Sequence, residues 1–389
     1  MSEHKKSILR KLEPVIFLLV FFAFFGGLGY FMGAKNMIST LMNTAHDLLI
    51  NTCFYLMAVC VLSGAISELL INFGVISLLE KILRPLMQPI FNLPGAAALG
   101  GVMTFFSDNP SIIALAEDRS FARYFKKYQI VSLANFGTAF GMGLIVVTFM
   151  ASQSGNNFGI ATTVGFFGAC FGAIISTRLM QRFIRKSVGE DPAVTPEEIA
   201  ELEKEPEEDL SVPAEMKPSA AANLATRILN DILDGGRKGV MIGLAIIPGV
   251  IIICSLVMIL TFGPSPEGYT GGIREGVGFI PWFFSFFQTP IHYLFGFTDP
   301  KSISFPLTAM GSVGSALGLV KTLKPTANDI AVFTAMGMCW SGFLATHTAM
   351  LDELGYRHLI SKAVTAHFIG GFCAGIFAHY VFLLVAKFL

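Results

Sequence analysis

Asp108 and Asn109 stand in the run Phe105-Phe106-Ser107-Asp108-Asn109-Pro110, at the apex of a glycine-broken apolar segment from Pro94 to Leu115. A carboxylate at membrane depth costs roughly 3 kcal/mol or more. It therefore calls for a partner: a polar solute, a coupling cation or a buried basic side chain. In a shallower segment Asp108 would instead cap the helix that starts near Pro110. A second set lies on two longer segments. One carries Ser132, Asn135, Gly137, Thr138, Gly141 and Gly143, and the other Thr334, Gly337, Ser341, Gly342, Thr346, His347 and Thr348. Glycines among hydroxyl and amide groups let a helix unwind, freeing carbonyls for a cation and N–H groups for an anionic or polar solute. Close packing through small residues would account for the glycines alone. His347 could contact a ligand or carry a proton, or be satisfied by a neighbour at a helix end. A third set, Thr308, Ser312 and Ser315, shares a small-residue face with Gly311 and Gly314. Glu68, His367 and His379 read as structural. No metal-ligand cluster, phosphate-cradling glycine loop or nucleophile constellation is present. The expected chemistry is binding, with no enzymatic activity and no cofactor beyond Na+ or H+ as a coupling ion.

These residues need a lipid-embedded scaffold. The chain has 389 residues, 53% hydrophobic and only 14% charged, a balance that polar surface cannot cover in water. Lys+Arg and Asp+Glu number 27 each, so there is no basic field for nucleic acid. The six cysteines, Cys53, Cys60, Cys170, Cys254, Cys339 and Cys373, fall in apolar segments without metal or redox spacing and read as packing residues. Spanning segments are predicted at Val15 to Met32, Leu48 to Ile71, Ile130 to Met150, Ile160 to Met180, Val240 to Phe262, Ile330 to Met350 and Ala363 to Leu384, seven in all. Pro94 to Leu115 and Phe305 to Leu323 are too broken to span and read as re-entrant hairpins. Gly74 to Phe91 and Phe279 to Phe297 precede them as interfacial collar helices.

The two halves align. Ile130 and Gly137 meet Ile330 and Gly337 at an offset of 200, Gly168 and Cys170 meet Gly371 and Cys373 at 203, and Leu93-Pro94 meets Phe305-Pro306. The division is 1–47 as an N-terminal helix outside the repeat, 48–186 as the first repeat, 187–237 as an acidic linker with a short helix over Leu224 to Leu233, and 238–389 as the second repeat. Three crossings per unit reverse the second copy, so the expected fold is an all-α polytopic membrane protein with an inverted repeat and two re-entrant hairpins. Basic flanks around the linker (Arg178, Arg182, Arg185, Lys186, Arg237, Lys238) and at the N-terminus (Lys5, Lys6, Arg10, Lys11) place both in the cytoplasm. Lys301, Lys321 and Lys324 near the second hairpin run against that rule. A spanning Phe279–Phe297 segment would make the halves parallel instead.

With Ser107 to Pro110 at a hairpin tip and Asn135-Phe136-Gly137-Thr138 on the helix after it, the chain resembles the nucleoside-recognition, or Gate, domain superfamily. That superfamily includes the concentrative nucleoside transporters, the membrane part of ferrous-iron transporter B and the spore maturation proteins A and B. The chain looks closer to bacterial Gate proteins of the YjiH type and to the spore maturation pair fused in one polypeptide than to the nucleoside transporters. In the nucleoside transporters the hairpin tips and broken helices hold nucleoside and sodium. By resemblance the binding residues here are Ser107, Asp108, Asn109, Asn135 and Thr138 on one side, with Ser312, Ser315, Ser341 and Thr346 on the other. The acidic Gly-Gln-Thr-Glu tip of those transporters is not present, so the solute could be a nucleoside, an amino acid, a dipeptide or another small metabolite. The expected function is ion-coupled secondary transport in the bacterial plasma (inner) membrane, with the bilayer and a small solute as partners and a homodimer permitted by the exposed first helix. A non-transporting scaffold for envelope or spore assembly is the other reading.

Overall fold

The computed structural model describes residues 3–195, 198–199 and 223–388. Seven of its helices are long and apolar enough to cross a membrane, in the regions read as spans from sequence, and the protein is a multi-pass α-helical membrane protein. Helix α1 (Glu3–Met32) lies outermost, with Phe17, Leu19, Val20 and Phe22 open to lipid. The chain turns at Gly33, whose φ of 79° suits a residue without a Cβ, and continues as α2 (Ala34–Asn72). The turn therefore falls well before residue 47. The first turns of α2 are amphipathic, and polar contacts clasp them to the 262–278 loop. Asn36 and Asn43 donate to the Tyr269 and Gly271 carbonyls (2.6 and 2.8 Å), and Arg274 pairs with Asp47 at 2.7 Å. Glu275 braces this loop by accepting from the Thr270 and Gly271 N–H groups at 2.9 and 3.0 Å. Burial pushes its carboxyl up, but hydrogen bonds from Thr270 and Gly271 outweigh this and hold it below the usual glutamate range. The brace is thus complete at neutral pH and is lost only as acidification passes through that lowered value.

The first repeat continues with a collar helix α3 (Val75–Leu86), hairpin arms α4 (Ala97–Phe106) and α5 (Pro110–Glu117), a broken span α6 (Lys127–Thr138) and α7 (Gly143–Ala151), and span α8 (Phe158–Val188). The second repeat follows the same order: span α9 (Leu224–Thr261), collar helices α10 (Phe279–Ser285) and α11 (Gln288–Phe295), hairpin arms α12 (Ser304–Gly311) and α13 (Val313–Leu317), broken span α14 (Ala327–Cys339) and α15 (Phe343–Glu353), and span α16 (Ile360–Val385). Helices α10 and α11 have 7 and 8 residues. At about 1.5 Å per residue neither approaches a bilayer core of about 30 Å, so this region does not span.

Equivalent spans lie back to back in opposite directions. Gly64 of α2 meets Gly235 of α9, Cys60 meets Gly239 and Met57 meets Gly243, so contacts that step down one helix step up the other. A Cβ at Gly64, Gly235, Gly239 or Gly243 would sit under 3.0 Å from the facing helix. The same register recurs between α8 and α16, where Gly168, Gly172 and Ser176 meet Ala378, Ala374 and Gly370. Lipid offers no hydrophobic drive for helix association, so small residues that admit close backbone approach carry this packing. The antiparallel pairing of equivalent spans is what an inverted repeat requires. Helices α2 and α9 also each contain one widened, π-type turn, at Leu48–Cys53 and Val250–Cys254.

Two parts of the linker reading change. The helix expected over Leu224 to Leu233 is the first part of α9, held there because Asp231 accepts from Asn72 at 2.8 Å, Arg227 donates to the Asn72 carbonyl and Lys238 pairs with the buried Glu68 at 2.8 Å. The opening of the acidic stretch is docked: Glu190 pairs with Arg185 and Lys126 at 2.7 and 3.3 Å, the Ala193 N–H donates to the Phe125 carbonyl, and Val194 is buried. The acidic residues from Glu201 to Asp209 lie outside the described residues. Lys301 and Lys321, which run against the charge rule, sit over the rings of Phe262 and Tyr55, with Nζ 5.5 and 3.8 Å from the centroids.

Both broken spans start with a reciprocal cap at the same point of the repeat. The Lys126 N–H donates to Gln129 at 3.0 Å and the Thr326 N–H to Asp329 at 2.9 Å, while the Thr326 hydroxyl accepts from the Asp329 N–H. Thr326→Ala is expected to cost about 1 kcal/mol, read as a lower unfolding midpoint of purified protein. An unchanged midpoint would remove this cap from the account.

Candidate binding site between the hairpin tips

The first hairpin closes because its arms carry complementary small and large residues. Gly100 of α4 admits Ile112 of α5, and Gly101 admits Phe136 of α6. Three residues turn the chain: Ser107, Asp108 and Asn109, followed by Pro110 in the first turn of α5, where a missing N–H is harmless. Asp108 accepts the Asn109 N–H at 2.7 Å, and Ser107 bonds Ser111 through their hydroxyls. The half-buried Asp108 carboxylate has no ion-pair partner among the described residues. Ser67 of α2 donates to the Phe106 carbonyl at 3.1 Å and steadies the tip.

The second hairpin turns on one extended residue, Ser312, whose hydroxyl caps α13 by accepting the Ser315 N–H at 3.2 Å. Gly311 beside it is exposed and Ser312 half-buried, so this tip is open to its surroundings. Thr308 donates to the Ser304 carbonyl of its own helix at 2.7 Å.

Both long spans break opposite these tips. Between α6 and α7 the break occupies residues 139–142, with Met142 left-handed at φ 54°. Between α14 and α15 it occupies residues 340–342, with Gly342 at φ 64°. Asn109 joins them. Its Nδ2 donates to the Ser341 carbonyl at 2.7 Å and to the Thr346 hydroxyl at 3.0 Å, across the boundary between repeats. On its other side lies Gly141, where a Cβ would collide with the Asn109 amide. The second break is tied in turn to the second hairpin, the Gly342 N–H donating to the Ala309 carbonyl at 3.0 Å. Asn109 is buried, and its Oδ1 has no hydrogen-bond partner among the described residues. A buried acceptor of this kind is costly unless something donates to it.

Asn109, Ser341 and Thr346 therefore come together, with Ser107 and Asp108 on the same tip as Asn109 and Ser312 on the opposite one. The other expected residues do not join them. Asn135 points behind the breaks, donating to Ser176 of α8 and to the Ala363 carbonyl, each at 3.0 Å. Thr138 donates to the Ala134 carbonyl of its own helix at 2.7 Å. Ser315 faces Gly249 of α9, where a Cβ would lie 2.7 Å from its hydroxyl. His347 shares the buried region of Asn135. Ser67 and Ser176 were missed by sequence reasoning; their only signal is a hydroxyl within an apolar span.

The elements from α2 to the start of the α7–α8 turn, residues 53–154, match the family model described as Gate, nucleoside recognition. The match falls within the first repeat and covers about a quarter of the chain. The chain is also similar to two structures of variants of CNTnw, from the concentrative nucleoside transporters, in outward-facing states. One has TM-score 0.51 at 14% identity, covering 97% of this chain and 86% of that chain. The other has TM-score 0.50 at 14% identity, covering 97% and 87%. At that identity the likeness concerns the fold. No curated protein sequence matches the chain. The matched stretch takes in the first hairpin and the first broken span.

Proposed function

We propose that the protein is an ion-coupled secondary transporter whose solute, nucleoside-like in chemistry, binds between the two hairpin tips and the second helix break. The observation that carries this reading is Asn109. Its amide is fixed by Ser341 and Thr346, and its buried Oδ1, which lies against Gly141, is unpaired among the described residues. With the Asp108 carboxylate on the same tip, it offers acceptors that suit the hydroxyl and N–H donors of a ribose or a base edge. Ser107, Asp108, Asn109, Ser312, Ser341 and Thr346 are the proposed contacts, while Asn135, Thr138, Ser315 and His347 support them from behind. The description of the Gate family and the fold shared with CNTnw favour a nucleoside over an amino acid or dipeptide. The N-terminus and the 187–222 stretch face the cytoplasm of a bacterial cell, following the flanking Lys and Arg residues. One repeat rocks against the other about the fixed site to alternate access.

A thermal-shift screen of purified protein against nucleosides, amino acids and dipeptides tests this reading. A ligand held by the native state raises apparent stability by mass action. A shift with nucleosides that disappears in Asp108→Ala is expected. No shift with any nucleoside, or one that survives in Asp108→Ala, would contradict it.

A further inference from the structure

Behind the second break, two histidines lie in contact, completely buried. The rings of His347 on α15 and His367 on α16 have centroids 4.6 Å apart, and neither is exposed at all. His367 uses both nitrogens: Nε2 donates to the Cys339 carbonyl at the end of α14, and Nδ1 bonds the Ser176 hydroxyl at 2.8 Å, which accepts from Asn135 at 3.0 Å. His347 uses one. Its Nδ1–H donates to the Phe343 carbonyl at 2.8 Å, which leaves the Nε2 lone pair as an acceptor with no partner.

The repeat shows that the scaffold does not need these imidazoles. The offset of 200 that pairs Gly137 with Gly337 puts Val147 opposite His347, and the offset of 203 that pairs Gly168 with Gly371 puts Val164 opposite His367. At the equivalent positions the first copy carries two valines. An imidazole pair held in place of two aliphatic side chains gives up packing and keeps a basic nitrogen unsatisfied, which fits a bound ligand better than a structural role. The pair bridges the half-helices around the break, through Cys339 on one side and Phe343 on the other. Thr346, the residue before His347, takes the Asn109 hydrogen bond, so the pair is mechanically linked to the hairpin tip.

We propose that His347 and His367 form a one-proton site that couples solute movement to a proton gradient. This rests on the transport reading given above. The proton adds to the Nε2 lone pair of His347, and no bond in the protein breaks. A second proton is excluded by like-charge repulsion between adjacent rings. The surroundings leave the charge to these two groups. Helix α6 presents neutral Asn135, α8 presents Ser176, α14 ends at the Cys339 carbonyl and α15 presents the Phe343 ring. On α15 itself Asp352 pairs with Arg357 at 3.6 Å, and Glu353 follows it at the helix end. Among the described residues no Asp, Glu, Lys or Arg lies within ion-pair distance of either ring. In the arrangement seen here both rings are sealed from solvent. The imidazolium needs an acceptor at Nε2, which an opened break supplies as water, so lowering the pH shifts the population toward the opened state.

Trp340, inside the break and stacked on Phe368, reports on this. The chain has two tryptophans, so Trp282→Phe leaves Trp340 as the sole one. In nanodiscs its emission is expected to change as the pH is lowered and the pair takes up its proton. The titration is expected to vanish in His347→Val and His367→Val, which copy the first repeat, and in the Gln variants should a valine variant not fold. A proton bound one pKa unit more tightly in one state shifts that state's population about tenfold, so uptake driven by a pH gradient is expected to fall by that order in the variants. Flat emission in the parent, or the same titration in the variants, would overturn the proposal. The two failures are distinguishable. Saturable wild-type uptake indifferent to the pH gradient overturns the proton role alone, whereas no uptake under any gradient overturns the transport reading beneath it.

Discussion

Asn109→Ala is expected to abolish solute binding and to destabilise the empty protein at the same time. The substitution removes the donor that holds the Ser341 carbonyl and the Thr346 hydroxyl, 2.7 and 3.0 Å away and both buried. Leaving buried polar groups without a partner costs about 1–3 kcal/mol. It also removes the unpaired Oδ1 offered to the solute. A loss of about 2 kcal/mol in binding corresponds to roughly thirtyfold in affinity. Thermal unfolding with and without ligand separates the two effects: the midpoint of the empty protein falls, and the ligand-dependent rise disappears. If the empty protein is destabilised while the ligand-dependent rise persists in full, Asn109 only ties the repeats together and does not touch solute.

The second large effect concerns the scaffold. Gly64→Leu places a side chain where even a Cβ would meet the Gly235 carbonyl oxygen of α9 at under 3.0 Å. The obstacle is backbone on both sides, so it cannot be relieved by a rotamer change, and overpacking of this kind costs about 3 kcal/mol. Gly26→Leu on α1 is the control, because nothing lies within 4 Å of its Cβ position. The expected outcome is a large fall in unfolding midpoint, with loss of monodisperse protein, for Gly64→Leu and no change for Gly26→Leu. Equal tolerance of both would mean that α2 and α9 do not pack back to back, and the inverted arrangement of the repeats would lose its main contact.

Much of this architecture is legible in the chain because membranes simplify the code. Spanning length, glycine-interrupted short segments and aligned glycines suffice to place seven spans, two hairpins and the repeat. Gly137 and Gly337 illustrate why the alignment works. Each faces its own hairpin, one meeting Ile112 and the other Phe305 and Val313, so both positions stay small for the same reason. Side-chain direction is harder to read. Asn135 and Thr138 belong to the right helix, but the break at 139–142 does not reveal that one points to Ser176 and the other back to Ala134. The bridge from Asn109 to Ser341 and Thr346 joins residues more than 230 positions apart and exists only once both spans have broken. The continuous start of α9 was hidden for a related reason. Its polar first turns read as linker until Asn72 and Glu68 supply the partners that Arg227, Asp231 and Lys238 need.

The central claim, that a nucleoside-like solute crosses the membrane through the cleft around Asn109, is tested most directly by uptake of a radiolabelled nucleoside into proteoliposomes containing wild type or Asn109→Ala. The account predicts saturable uptake by wild type, competed by unlabelled nucleoside and lost in the variant. Accumulation no greater than in protein-free liposomes, or equal uptake by both proteins, would contradict it.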